Sequence, residues 1–234
     1  MDVRKFDNFD GFACQYRKNH TDNIKQISGV DSNYFSEYKV REVMQCEKNA
    51  QDYIILDFGC GDGNSAPYFI EHLIPISYYG IDISSKSIET AKQQKLDSCY
   101  FQTFDGEKIP FDNNTFDIVF MANVLHHIDC AYHKIILSEC YRVLKKSGRL
   151  YIFEHNHLNP LTRKIVKDCK FDVGAKLITL NNVKRTVKEV GFKDFERRYT
   201  IFFPRKFLFK LAIPFEKYLR WCPLGGQYYV KCYK

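Results

Sequence analysis

Three aspartates, Asp57, Asp82 and Asp105, stand at or just past the ends of three short β-rich runs. Asp57 precedes Gly59-Cys60-Gly61-Asp62-Gly63, a glycine-rich turn between a strand and a helical stretch. In that context the backbone must turn sharply and let a ligand approach where a Cβ would stand. Asp57 is then placed to meet a cation or an amine. Asp82 ends the second run, Tyr79-Gly80-Ile81-Asp82-Ile83. A carboxylate there can accept from both hydroxyls of a ribose, each charge-assisted bond worth roughly 1.5–3 kcal/mol. Asp105 lies just past the third run, where it can accept from an adenine amino group. Beyond the fourth run stand His126 and His127, and beyond the fifth the polar cluster Glu154-His155-Asn156-His157. Histidine titrates near neutrality and is the first choice where a proton must be removed.

These groups need a scaffold that brings strand ends to one edge. Strands are expected at Tyr53–Phe58, Ser77–Ile81, Cys99–Thr103, Phe116–Ala122 and Arg149–Glu154, with helical stretches between them. Near-unbroken apolar runs in the first and fourth mark strands buried on both faces. The alternation predicts a Rossmann-like α/β fold, a seven-stranded, mostly parallel sheet with helices on both faces. The helix after the fourth strand is capped by Asp129, carries Ile135, Ile136, Cys140, Val143 and Leu144 as its apolar stripe, and closes at Lys145, Lys146 and Gly148 with a left-handed stop. Another helix runs over Asn181–Val190 and stops at Gly191, and late strands at about Phe195–Phe203 and Gln227–Cys232 complete the sheet. Residues 1–50 read as an N-terminal helical cap on a domain spanning 51–234, with an aromatic and basic insertion at 204–225. Gly63, Asp62 and Asp117 have structural readings: helix packing, a helix cap and a strand start.

The stretch from Tyr53 to Glu154 resembles the class I (type 11-like) S-adenosylmethionine-dependent methyltransferase domain, in the branch similar to the ubiquinone/menaquinone C-methyltransferases and many small-molecule enzymes. Asp57 to Gly63 matches the family's first motif, which wraps the methionine part of the cofactor. Asp82 matches the ribose-binding acid, Ile83 the residue stacked on adenine, and Asp105-Gly106 the pair that reads the adenine edge. Ile109-Pro110-Phe111 through Asp117, then Val124 to Ile128, match the fourth-strand region, and Leu144 to Glu154 the fifth. The resemblance implies S-adenosyl-L-methionine as cofactor, held by Asp57, Gly59, Cys60, Gly61, Asp82, Ile83, Asp105, Gly106 and Met121. His126, His127 and His157 are the candidate catalytic residues. His20 and Tyr16 lie on a segment that closes over the cofactor in similar enzymes. A nicotinamide-binding domain is disfavoured, because Asp57 before the glycine pair would repel a pyrophosphate and suits an ammonium and a sulfonium instead.

The acceptor is narrowed by absences. Met121-Ala122-Asn123-Val124 replaces the Asn-Pro-Pro-Tyr type tetrapeptide of nucleobase amino-methylating enzymes, no Pro-Cys pair offers a cytosine nucleophile, and no carboxylate set has magnesium spacing. No metal is expected. Sugars, lipid-linked precursors, quinones and secondary metabolites remain, and the cluster from Glu154 to Arg163 resembles a bacterial group that modifies surface polysaccharides or secondary metabolites. From Pro160 to Lys234 the charge is +12 and the preceding residues carry −5, within a net +7. In 204–225 phenylalanines and cations interleave, as in segments that lie on a membrane surface or cover a greasy substrate. The competing reading is a packed lid with Phe207, Phe209 and Phe215 in the core. Two other classes stay in view: a non-catalytic scaffold or cofactor sensor, and a nucleic-acid-directed enzyme using the basic C-terminal half, disfavoured by the missing tetrapeptide. Nine cysteines without a Cys-x-x-Cys pair read as free thiols of a reducing, cytoplasmic setting. Met1-Asp2-Val3-Arg4-Lys5 has no signal-type apolar run, and no stretch reaches membrane-span length.

Overall fold

The computed structural model describes residues 31–47, 52–73, 77–169, 175–203 and 211–234. Tyr16 and His20 lie outside the described residues, as do Arg205, Lys206, Phe207 and Phe209. The elements are α1 (Ser32–Cys46), β1 (Ile54–Phe58), α2 (Ala66–Leu73), β2 (Ser77–Asp82), α3 (Ser85–Gln93), β3 (Cys99–Thr103), β4 (Phe116–Ala122), α4 (Cys130–Val143), β5 (Leu144–His155), α5 (Pro160–Asp168), α6 (Leu180–Val190), β6 (Lys193–Thr200) and β7 (Gln227–Tyr233). Seven strands form one sheet in the order β3-β2-β1-β4-β5-β7-β6. The first five pair parallel, and β7 runs antiparallel between β5 and β6.

Period-two alternation sends neighbouring side chains to opposite faces, so each buried strand feeds two cores. On one face Leu56, Val119, Ile152 and Val230 meet Ile136, Leu137 and Cys140 of α4 and Val183 and Val187 of α6. On the other, Ile55, Phe120, Tyr151 and Tyr229 meet Val40 and Val43 of α1, Phe69 of α2 and Ile88 of α3. Helices cover both faces, as the alternation required.

Caps set the helix starts. Oxygens of Asp31, Ser84, Asp129, Asn159 and Thr179 each accept a backbone N–H in the first turn of the helix that follows. α6 ends at a left-handed Gly191, as expected. Four local expectations need correction. Ile135 is 51% exposed, and the buried face of α4 is His133, Ile136, Leu137, Cys140 and Val143. His133 fits there because its Nε2–H reaches the carbonyls of Leu125 and Ile128, both at 2.9 Å. α4 also stops at Val143, and Leu144 already opens β5 by pairing with Phe116. The left-handed residue is Ser147, not Gly148, whose own constraint is a close approach to the Lys145 carbonyl. Lastly, β6 ends at Thr200 because Glu216 takes the backbone N–H groups of Phe202 and Phe203, at 2.9 and 3.0 Å, away from the ladder.

α1 is tied down by ions rather than by apolar area alone. At its C-terminal end Glu47 pairs with Arg149 at 3.2 Å and Lys231 at 3.1 Å, and accepts from the Tyr151 hydroxyl at 2.5 Å. Glu42 pairs with Arg220 at 2.6 Å, linking α1 to the segment before β7. Asp117 accepts from the Ile54 N–H at 2.9 Å and pairs with Lys145 at 2.7 Å, the structural role expected of it.

Candidate cofactor and acceptor site at the sheet edge

The carboxyl ends of β1 to β5, the end of β6 and the start of β7 share one edge of the sheet. In open α/β sheets ligands bind outside this edge, where the strand order reverses, here between β1 and β4. The turn after β1 is pinned there by its own backbone. The N–H groups of Gly59 and Cys60 both reach the Ile81 carbonyl, at 2.8 and 3.0 Å. The Gly61 N–H reaches Asp82 Oδ2 at 2.9 Å, and the Ser84 N–H reaches Oδ1 at 2.9 Å.

Gly59 and Gly61 are both left-handed, at φ +72° and +54°. A Cβ on Gly59 would stand 2.6 Å from Val124 Cγ2, whereas one on Gly61 would meet nothing within 4 Å among the described residues. The turn is packed on its inner side and open on its outer side. That opening, beside a carboxylate oriented by two backbone donors, fits a ligand that presents a ribose and an adjoining chain. The half-buried Ile83 sits between Asp82 and Ser84.

Asp57 is placed otherwise. It is 2% exposed and accepts from the Tyr78 hydroxyl. Burial, with the charge of Asp82 adding, pushes its carboxyl up to about 7 against the Tyr78 bond and the ammonium of Lys39. The cation beside Asp57 thus comes from the chain itself. Lys39 is 5% exposed on the inner face of α1, and burial lowers it to about 8 against the charges of Glu154 and Asp57. Cys60 is buried, and burial together with Asp57, Asp82 and Asp62 pushes its thiol well up, leaving it no nucleophile. Met121 is fully buried in the core rather than on the surface of the turn. Asp105 is exposed and its Oδ1 accepts the N–H groups of Glu107 at 2.8 Å and Lys108 at 3.0 Å, which hold its carboxyl below the usual range. Gly106 beside it is left-handed, at φ +81°.

The acceptor half forms around Glu154. Its Oε1 takes the Leu125 N–H at 2.8 Å and its Oε2 meets His126 Nδ1 at 2.6 Å, both inside the protein. Burial works to raise Glu154, but the charge and hydrogen bond of His126 outweigh it and hold the carboxyl low. An ionised carboxylate only accepts, so Nδ1 must donate. The His126 ring lies 4.1 Å from that of His127 and 5.2 Å from that of His155. His157 follows in the next turn, and among the described residues no ring contact joins it to this group. Tertiary structure therefore brings together His126, His127, His155 and Glu154. The residue missed in the sequence is Lys39. Its signal was there: it shares an apolar stripe with Val40 and Val43, one turn of helix or less away.

With this geometry in place, the class is that of an α/β protein with a ligand site at the switch point of its sheet. Residues 56–152 match a family model described as a methyltransferase domain. Among curated relatives, the phthiotriol/phenolphthiotriol dimycocerosates methyltransferase of Mycobacterium leprae is 37% identical over 98 residues, 41% of this chain and 35% of that protein. The chain spans about a third of the length of the first curated relatives it matches. Among solved structures, an S-adenosylmethionine-dependent methyltransferase from Archaeoglobus fulgidus superposes with a TM-score of 0.69 at 16% identity, covering 90% of this chain and 97% of that one. Phosphoethanolamine N-methyltransferase 2 of Haemonchus contortus, in complex with S-adenosylhomocysteine, gives 0.66 at 18% identity, covering 97% and 60%. Residues 56–152 thus match a methyltransferase-domain model, and the chain has the fold of solved S-adenosylmethionine-dependent methyltransferases.

Proposed function

We propose that the protein transfers the methyl group of S-adenosylmethionine to a small or lipid-linked acceptor. The observation that carries this is the open glycine turn locked to Asp82, with a buried histidine–carboxylate pair on the same sheet edge. When bound, the sulfonium supplies an activated methyl group together with its leaving group. Everything else falls to the chain. Gly59, Cys60 and Gly61 shape the floor of the cofactor pocket, and Asp82 orients the ribose. Glu154 holds the His126 ring with Nδ1–H directed at itself, so that in the neutral ring Nε2 is the nitrogen that takes the proton of an acceptor hydroxyl or amine. Gln227 and Thr200, both buried where β6 and β7 meet this edge, hold side-chain oxygens without a hydrogen-bond partner among the described residues. They are suited to polar groups of the acceptor. Lipid-linked acceptors are supported by the mycobacterial relative, whose name describes methylation of a dimycocerosate.

Labelled S-adenosylmethionine incubated with the protein and a whole-cell metabolite and lipid extract tests this. Label should enter a low-mass or lipid fraction, and His126→Gln should lower kcat with little change in cofactor affinity. A protein that binds the cofactor yet transfers no label to any fraction would instead be a sensor or scaffold.

A further inference from the structure

Nine large hydrophobic side chains are exposed among the described residues, and seven fall in two short segments. Leu158 and Leu161 lie between the end of β5 and the first turn of α5, at 51% and 42% exposure. Leu211, Phe215, Tyr218, Trp221 and Leu224 lie in the stretch before β7, between 61% and 88% exposed. This corrects the packed-lid expectation for Phe215. The two segments are bonded into one surface. The Asn159 side-chain amide donates to the Leu224 carbonyl at 2.7 Å, and that of Asn156 donates to Pro223 at 2.9 Å and Gly225 at 2.7 Å. The Thr162 hydroxyl reaches Gly226 at 2.9 Å. All of this sits beside His155 and Gln227, on the edge that carries the acceptor site.

The exposed charges of the surface are mostly positive. Arg163, Lys164, Lys167 and Lys217 are exposed. Glu216 is turned inward onto the backbone of Phe202 and Phe203, and Asp168, at the far end of α5, is the one exposed acid in these two segments. A solvated cap would bury its leucines and aromatics, and large apolar side chains left exposed in numbers on two bonded segments mark a binding face. Leucine, tryptophan and tyrosine among cations match a membrane–water interface, where apolar groups enter the acyl boundary and lysine and arginine meet anionic headgroups.

We propose that this surface docks on an anionic bilayer, so that the acceptor is an amphiphile taken from that bilayer at the adjoining sheet edge. The second clause rests on the methyl-transfer reading, and the docking does not. Charge complementarity selects the occupant: a second copy of the chain would bring like-charged cations face to face.

Trp221 is the only tryptophan in the chain and stands 76% exposed within the surface, so its emission reports docking directly. Vesicles of phosphatidylcholine containing phosphatidylglycerol should shift that emission to the blue, and acyl-brominated lipid should quench it. Pure phosphatidylcholine should bind at least tenfold more weakly. The double substitution Leu211→Ser with Leu224→Ser should lower vesicle affinity tenfold or more without moving the melting temperature, since both side chains are in water. Unchanged emission, undiminished binding by the double variant, or a dimer that buries Trp221 and is lost in that variant would each overturn the proposal. The measurement needs no cofactor. Docking without methylation of any lipid would leave the surface standing and remove the bilayer acceptor.

Discussion

Asp57 and Lys39 occupy one buried region with opposite charges and opposite responses to pH. The carboxyl of Asp57 is raised by burial to about 7, so between about 4 and 7 the folded chain binds a proton that the unfolded chain has released. Stability contributed by this group is therefore lost as pH rises through that window. Lys39 is lowered by burial to about 8, so its unfavourable charge persists below that pH and is relieved only above it. Glu154 is held low and matters only in acid. Between pH 5 and 7, Asp57 is the one of these three that changes state. Asp57→Asn should thus gain stability over the parent by about 1 kcal/mol for each pH unit across that range. Urea unfolding at several pH values measures it, and parallel profiles for the two proteins would mean that Asp57 is ionised throughout. The identities of Asp57, Gly59, Gly61 and Asp82 were legible because strand ends and turns are local features. The surroundings of Asp57 were not, since the Tyr78 hydroxyl bonds it and the charge of Lys39 acts on it from other elements.

At the scale of the element, α4 shows how far periodicity carries. A stripe drawn from apolar residues alone includes Ile135, yet at 100° per residue the packed face runs through His133, Ile136, Leu137 and Cys140. A histidine holds an inward position because two carbonyls of the preceding turn accept from it, a contact invisible to a hydropathy pattern. Leu137→Ala should accordingly cost ~2–5 kcal/mol, while Ile135→Ser should stay within about 0.5 kcal/mol. Thermal or urea melts of the two variants decide which face is core, and equal losses would contradict the assignment. The boundary between α4 and β5 was also misplaced in the sequence. Lys145, Lys146 and Gly148 carry the marks of a helix stop, but pairing of Leu144 with Phe116 draws the chain into the sheet immediately after Val143.

For the whole molecule, the pinned glycine turn and Asp82 give a selectivity that can be read from stability. A ligand that binds only the folded state raises the melting temperature. S-adenosylmethionine and S-adenosylhomocysteine should do so, and NAD and NADP should not. Asp82→Ala should shrink the shift and weaken binding tenfold or more, as a lost charge-assisted pair is worth roughly 1.5–3 kcal/mol. Stabilisation by NADP alone, measured by differential scanning fluorimetry, would reverse the reading of the turn. Among the described residues no helix is long and apolar enough to cross a membrane. By itself, the sequence determined the alternation of strands and helices, the strand-to-glycine-turn motif and the acids at the strand ends. Those follow from side-chain period and turn chemistry within a few neighbouring residues. Tertiary structure alone decided that Glu154 would hold His126, 28 positions away, and that Lys39 would be buried within the fields of Asp57 and Glu154. It also decided that the aromatics before β7 would face water. Burial is a property of what packs against a residue, and those neighbours come from distant parts of the chain.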